Sequence, residues 1–271
     1  MSVYPPSLAY RVNNKLSIGG GVSFIYSKLD LDVAVKRPGS LPDAKISMDE
    51  LDDWGVQGGF GLTYQLTGQA TIGLIYRSES STYLRGDLKV KNFSGGLPPV
   101  NALASSLDSA KISWDYPQMV SLGLKYKLTD QLTIMADVDW EDWSAFGDNY
   151  TSINGGSINT EIDRNWDDTW HGGIAMLFDI DDYHRISTGF SYDSSPVEDK
   201  FRTADLPVDE QINFSIAYGR HGLGNLDYSL ALSYVYLGDG KIDQTTQGER
   251  FKGEFDTNFI LFVAGTVNYR F

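Results

Sequence analysis

The chain has no cysteine among its 271 residues, so it can build neither a disulfide framework nor a thiolate metal site. It also lacks any run near the ~18 apolar residues that a membrane-spanning helix needs; its longest apolar stretch lies between Phe259 and Ala264. Positive charge is scarce: 22 Lys and Arg stand against 36 Asp and Glu, and the net charge of -14 excludes nucleic-acid binding through a basic patch. Met1 to Tyr10 holds no basic segment followed by an apolar one, so no secretory leader is read there. Histidine is limited to His171, His184 and His221, on different strands or turns and without metal-ligand spacing. The acidic turn Asp179, Asp181, Asp182 has neither the Gly nor the terminal Glu of a calcium loop.

What the chain has is alternation. Its last segment places Phe259, Leu261, Val263, Gly265, Val267, Tyr269 and Phe271 on one face of a strand. The pattern recurs upstream: Leu16 to Tyr26, Trp54 to Leu66, Ala70 to Tyr76, Val120 to Leu128 and Leu132 to Trp140. It continues through Trp170 to Phe178, Ile186 to Tyr192, Ile212 to Tyr218 and Leu226 to Tyr236, and none of these alternate positions holds Asp, Glu, Lys or Arg. The opposite faces carry Gln57, Arg77, Lys125, Asp137, Asp139, Glu141, His171, Arg185, Asp193 and Arg270.

A soluble sandwich with its apolar face inward shares that pattern, so other features must decide between sandwich and membrane barrel. Aromatics recur ten residues apart at Trp54 and Tyr64, Tyr116 and Tyr126, Phe259 and Tyr269. At ~3.3 Å per residue and a tilt near 45° this spans roughly 23 Å, the height of a barrel's apolar band. Connections alternate too. Short turns fall at Asn13-Asn14, 67–69, 129–131, 179–183 and 220–225, and long ones at 37–53, 92–108, 147–165, 196–209 and 238–254. Short periplasmic turns alternating with long external loops are the rule of transmembrane barrels. The expected fold class is therefore all-β: a transmembrane antiparallel up-and-down β-barrel, with residues 1–271 forming a single barrel domain. Counting Tyr4 to Val12 as a first strand gives eleven. Single-chain bacterial barrels have even strand numbers and periplasmic termini, so the domain is expected to be N-terminally incomplete.

Several segments carry a more specific likeness. DWGVQGGFGLTYQL (53–66), IGLIYRSE (72–79), YPQMVSLGLKYKLTDQLTIMADVDWEDWSAF (116–146), ISTGFSYDSSPV (186–197) and the terminal VNYRF resemble the FadL/TodX outer-membrane transporters. The resemblance covers nearly the whole chain and the C-terminal two thirds of the family. It implies a barrel of fourteen strands, about eleven of them here, in the bacterial outer membrane as a multi-pass protein. It also implies uptake of long-chain fatty acids or aromatic hydrocarbons. Nothing in this chain matches the family's N-terminal hatch, its Asn-Pro-Ala element or its early kinked strand.

Within that frame, candidate ligand groups follow. The segment from Asn92 to Ala110 is unusually apolar for an external loop, and Leu97, Val100 and Leu103 are expected in a capture groove, a role the resemblance also implies. The alternative is that they pack the loop down as a cap. Among inward-facing bases, Arg77, in the family-like YRSE, and Arg185 are expected to receive a carboxylate head group; the competing role is a lumenal ion-pair network. Inward glycines such as Gly19, Gly61, Gly73, Gly123 and Gly173 leave room for ligand or relieve curvature. No catalytic residue, metal or cofactor is expected; a Ser-His-Asp hydrolase through His171 has no motif behind it. Expected partners are a long-chain fatty acid or aromatic hydrocarbon, outer-membrane lipid and lipopolysaccharide, and the barrel-assembly machinery through Phe271, with the protein acting as a monomer. A general porin or surface adhesin on the same scaffold is the alternative.

Overall fold

The computed structural model describes residues 2–4, 6–35, 43–91, 106–154, 158–204, 206–246 and 249–269. β1 (Ser2–Tyr4) and β2 (Ser7–Arg11) form one interrupted strand beside β3 (Leu16–Val35), which runs against β4 (Ala44–Gln65). β5 (Ala70–Arg77) continues upward as β6 (Ser80–Lys91), and β7 (Ser109–Tyr116) returns into β8 (Met119–Lys127). β9 (Leu132–Glu141) is followed by a short helix, α1 (Ser144–Gly147), and the hairpin β10 (Asp148–Ile153) and β11 (Ile158–Asp163). β12 (Thr169–Asp179), β13 (His184–Asp193), β14 (Gln211–Leu223) and β15 (Leu226–Tyr236) then pair in succession. A separate hairpin, β16 (Ile242–Thr246) with β17 (Glu249–Gly253), precedes β18 (Phe259–Tyr269), which pairs with β15.

All pairings are antiparallel, and all but β16 and β17 belong to one sixteen-stranded sheet. At the level of the short turns that sheet is crossed by eleven strands: β1/β2, β3, β4, β5, β8, β9, β12, β13, β14, β15 and β18. Its two edges, β1/β2 and β18, do not pair with each other among the described residues.

Four of the five short turns share one device. Asn13 Oδ1 accepts from the N–H groups of Lys15 and Leu16, Thr67 Oγ1 from Gln69 and Ala70, Thr129 Oγ1 from Gln131 and Leu132, and Asp181 Oδ1 from Tyr183 and His184. A short oxygen-bearing side chain thus satisfies the two N–H groups that a reversing chain leaves unpaired. The last turn uses glycines in the left-handed region, Gly222 and Gly224, at φ of 71° and 61°.

Across the lower half of the sheet the apolar face is exposed: Leu122 is 49% accessible, Ile174 55% and Val263 69%. Large apolar side chains open in this number on one side of a continuous antiparallel ladder have only lipid to cover them, which decides for the barrel against the sandwich.

Above that band the pattern inverts. Met48, Leu51, Leu84, Leu88, Ala110 and Ile112 are buried together on the inner side of β4, β6 and β7, with Leu29, Ile46, Val90 and Trp114 packed against them. Three backbone irregularities bring the apolar residues inside. On β4 the bulge at Asp49–Glu50 sets two residues against Asp30 alone, so Leu51 and Met48 face the same way. Between β5 and β6 the chain breaks at Ser78–Glu79, where Ser78 N donates to Gly58 O and Gly58 N to Ser78 Oγ. Between β7 and β8 it breaks at Pro117–Gln118, where Tyr76 Oη donates to Gln118 Oε1 and Gln118 Nε2 to Asp142 Oδ2.

Two expectations change as a result. Tyr116 does not belong to a lipid girdle with Tyr126: its hydroxyl lies 2.7 Å from Oγ of the buried Ser27, on the inner side. Most of the long connection expected at 37–53 is strand, since β3 reaches Val35 and β4 begins at Ala44.

Candidate ligand path in the lumen

The inner face is ordered in rows that run across the strands, because paired residues in an antiparallel sheet point to the same side. One row reads Gly19, Gly61, Ile75, Ser121, Asp139, His171, Asp193 and Gln211. The next row down reads Ser17, Thr63, Gly73, Gly123, Asp137, Gly173, Ser191 and Asn213. Each row is uncharged on β3, β4, β5 and β8, and small there except for Ile75; from β9 onward it is polar except for Gly173.

The small half forms a concave groove of about 350 Å³ lined by Ala9, Gly19, Gly61, Gly73, Ile75 and Gly123, among others. Ile75 is 49% accessible there, an apolar side chain offered to the lumen. Arg77 stands one inward position above Ile75, paired across the sheet with Gly59 and Met119. It is exposed, and no hydrogen bond or ion pair ties its guanidinium to the described residues. An exposed cation over an apolar trough is suited to an amphiphile with an anionic head.

Arg185 is placed differently. Its Nε and Nη2 donate to Asp179 Oδ1 and Oδ2 at 2.6 and 3.1 Å, a fork closed on a carboxylate beside the 180–183 turn. Leu97, Val100 and Leu103 lie outside the described residues, as do Arg270 and Phe271.

The polar half gathers residues that sequence spacing does not relate. His171 Nδ1 lies 2.7 Å from Asp193 Oδ1, and Nε2 lies 3.2 Å from Asp137 Oδ2. Its partners come from β9 and β13, one strand to each side, so only the register brings them together. No serine hydroxyl bonds His171 among the described residues, so the hydrolase arrangement is not formed there.

At the long-loop end a built cap overhangs this path. Phe146, Trp166 and Val197 are buried against Trp114, Trp143, Phe201, Leu206 and Val208. Arg202, 1% accessible, donates to Asp199, Asp209, Ser195 and the carbonyls of Val197, Val208 and Lys241. Asp142, just past β9, accepts from Ser144 and Gln118, and those bonds hold its carboxyl below the usual range. The sequence signal for this cap is the SYDSSPV run, which carries a family likeness but no structural role until the fold is seen.

An open-edged antiparallel sheet with a lipid-facing band, a polar inner wall and a packed external cap defines the wall of an outer-membrane β-barrel. Residues 3–271 match the family described as Outer membrane protein transport protein (OMPP1/FadL/TodX), and the chain belongs to it. It is 24% identical over 287 residues to a long-chain fatty acid transport protein of Escherichia coli O6:H1, which covers 93% of this chain. The chain spans 64% of that relative's length. Among solved structures it is similar to a Pseudomonas aeruginosa FadL homologue, with a TM-score of 0.82 and 21% identity over 97% of this chain and 66% of that one. The Ralstonia pickettii toluene transporter TbuX shares the fold at a TM-score of 0.64 and 18% identity, covering 98% of this chain and 67% of that one. The bacterial outer membrane is accordingly its location.

Proposed function

We propose that this chain forms the lumenal wall and external cap of a barrel that admits hydrophobic compounds through the outer membrane, with long-chain fatty acids as its cargo. The observation that carries this reading is the pairing of Arg77 with the groove below it: an exposed guanidinium without a partner among the described residues, above an apolar trough of about 350 Å³. A fatty acid has both parts, a carboxylate for Arg77 and an alkyl chain for Ala9, Ile75 and the glycines. A toluene-like hydrocarbon uses only the second. Arg185 contributes less, since its fork is engaged by Asp179.

First capture falls to the apolar loop carrying Leu97, Val100 and Leu103, in keeping with its sequence. Outer-membrane lipid and lipopolysaccharide cover the exposed apolar band, and Phe271 marks the last strand for the barrel-assembly machinery. The barrel works as a monomer and a single domain.

The test is ligand binding by the purified protein in detergent. A charge-assisted hydrogen bond contributes about 1.5–3 kcal/mol, so Arg77→Ala should weaken fatty-acid binding roughly tenfold or more and leave toluene binding unchanged. Equal losses for both ligands would assign Arg77 a structural role. Replacing Leu97, Val100 and Leu103 by Ser should weaken both ligands alike. Steady ion conductance in a planar bilayer, without saturable fatty-acid binding, would favour a general porin instead.

A further inference from the structure

His171 sits in the inner wall with a carboxylate on either side. Asp193 on β13 holds Nδ1 at 2.7 Å, and Asp137 on β9 approaches Nε2 at 3.2 Å. Asp139, the registered neighbour of His171 on β9, brings a third carboxylate: the ligating atoms of Asp137, Asp139 and His171 all lie within 4.8 Å of one another. Asp139 Oδ1 is buried and has no hydrogen-bond partner among the described residues. An ionised oxygen in that condition is costly unless a cation meets it.

The local backbone is shaped to permit this convergence. Gly173 is the cross-strand partner of Asp137, and a Cβ there would stand 2.9 Å from both Asp137 oxygens. The missing side chain lets Asp137 lean over β12 toward His171. Like charges on neighbouring positions of one sheet face repel, so three carboxylates gathered around a single imidazole require a positive centre.

We infer that Asp137, Asp139 and His171 form a lumenal site for a borderline divalent cation of the Zn²⁺ or Co²⁺ type. With Nδ1–H donated to Asp193, Nε2 carries the lone pair and faces the two free carboxylates. A carboxylate that fixes the tautomer of a ligating histidine from behind is the usual outer-shell arrangement of such sites. One pair already stands at ligand spacing. Two donors held ~2.1 Å from one ion at tetrahedral or octahedral angles stand roughly 3.0–3.4 Å apart, and Nε2 and Asp137 Oδ2 are separated by 3.2 Å. Water completes the shell from the open lumen. One imidazole with two carboxylates selects such a metal over Ca²⁺, which takes six or more oxygens. The site does not depend on which hydrophobic compound the barrel carries. Spacing alone cannot reveal it, because the histidine lies on a different strand from the two carboxylates, 32 to 34 positions further along the chain.

The full chain, purified in detergent and freed of metal, is titrated with Co²⁺ by absorption spectroscopy and with Zn²⁺ by calorimetry. One saturable site per chain with ligand-field bands is expected; excess Ca²⁺ leaves it intact. His171→Gln and Asp139→Asn should each weaken binding more than tenfold, and Asp193→Asn by 10–100-fold. His184→Gln, which touches the other His–Asp pair at the 180–183 turn, should change nothing. His171→Cys keeps a donor at the position, and in a chain without other cysteine a thiolate-to-cobalt charge-transfer band would report the site directly. The alternative state is an imidazolium that donates from both nitrogens to Asp137 and Asp193. Absence of saturable Co²⁺ binding, or binding that survives His171→Gln, or a folded His171→Cys variant that shows no charge-transfer band with Co²⁺, would overturn the metal site in favour of that ion pair.

Discussion

A Cβ placed on Gly86 would lie 2.7 Å from the carbonyl oxygen of Glu50, and equally close to that of Asp49. Glu50 is the left-handed residue of the β4 bulge, at φ 55°, with its N–H donated to Asp30 Oδ1 at 2.7 Å. The glycine on β6 therefore makes room for the irregularity that re-aims β4. Gly86→Val should push β6 off the bulge and cost roughly 1–3 kcal/mol. Limited trypsin digestion would show faster cleavage at Lys45 and Lys89 above the membrane band, with the lower strands still protected. Unchanged cleavage would mean that the bulge adapts.

The two faces of β8 should respond oppositely to charge. Leu122 is 49% accessible on the lipid side, and Leu122→Arg is expected to cost about 2–4 kcal/mol if it lies near the bilayer midplane. Ser121→Arg, one residue away and facing the lumen, should be tolerated. Folded yield in outer-membrane fractions distinguishes them; equal yields would contradict the assigned sidedness.

Arg202 lies 1% accessible against Asp209, at 2.8 Å and 14% accessible. Removing the guanidinium leaves a half-enclosed carboxylate and several carbonyls without donors, so Arg202→Ala should destabilise the cap by about 3–5 kcal/mol. The readout is protease sensitivity of 194–210 and the β16–β17 hairpin on intact cells. Arg202→Ala combined with Asp209→Asn should lose less than the sum of the single variants.

Arg250 clamps Asp243 across the outer hairpin with two 2.6 Å hydrogen bonds, and these hold the Asp243 carboxyl below its ordinary value. A depressed folded pKa contributes stability that is complete above the unfolded carboxylate value and is lost as pH falls through the lowered one. Amide protection in β16 and β17, corrected for intrinsic exchange, should therefore hold at neutral pH and fall in acid. Asp243→Asn should flatten that dependence.

Much of the lower sheet was legible because lipid imposes a simple rule: every second residue from Val120 to Leu128 or Phe259 to Tyr269 must be uncharged, and strands of that height repeat. Arg77 was legible for the same reason, as a base on the wall opposite the apolar face. The upper strands were not. Leu84, Leu88 and Ile112 alternate just as the lipid-facing residues do, yet face inward, because Ser78–Glu79 and Pro117–Gln118 interrupt their ladders. Alternation reports that one face is apolar and is silent on which side that face lies.

The sequence by itself determined the eleven strands at the level of the short turns, the short turns that join them and the family, since each is a property of local pattern and turn chemistry. Only the tertiary structure decided where that pattern changes side and which residues meet. The Glu50 bulge depends on space under Gly86, the Arg202 cap on carbonyls from three segments, and the His171 cluster on the pairing of β9, β12 and β13. Register is a long-range choice, and a shift of one residue would turn His171 toward lipid and leave its three carboxylates without it.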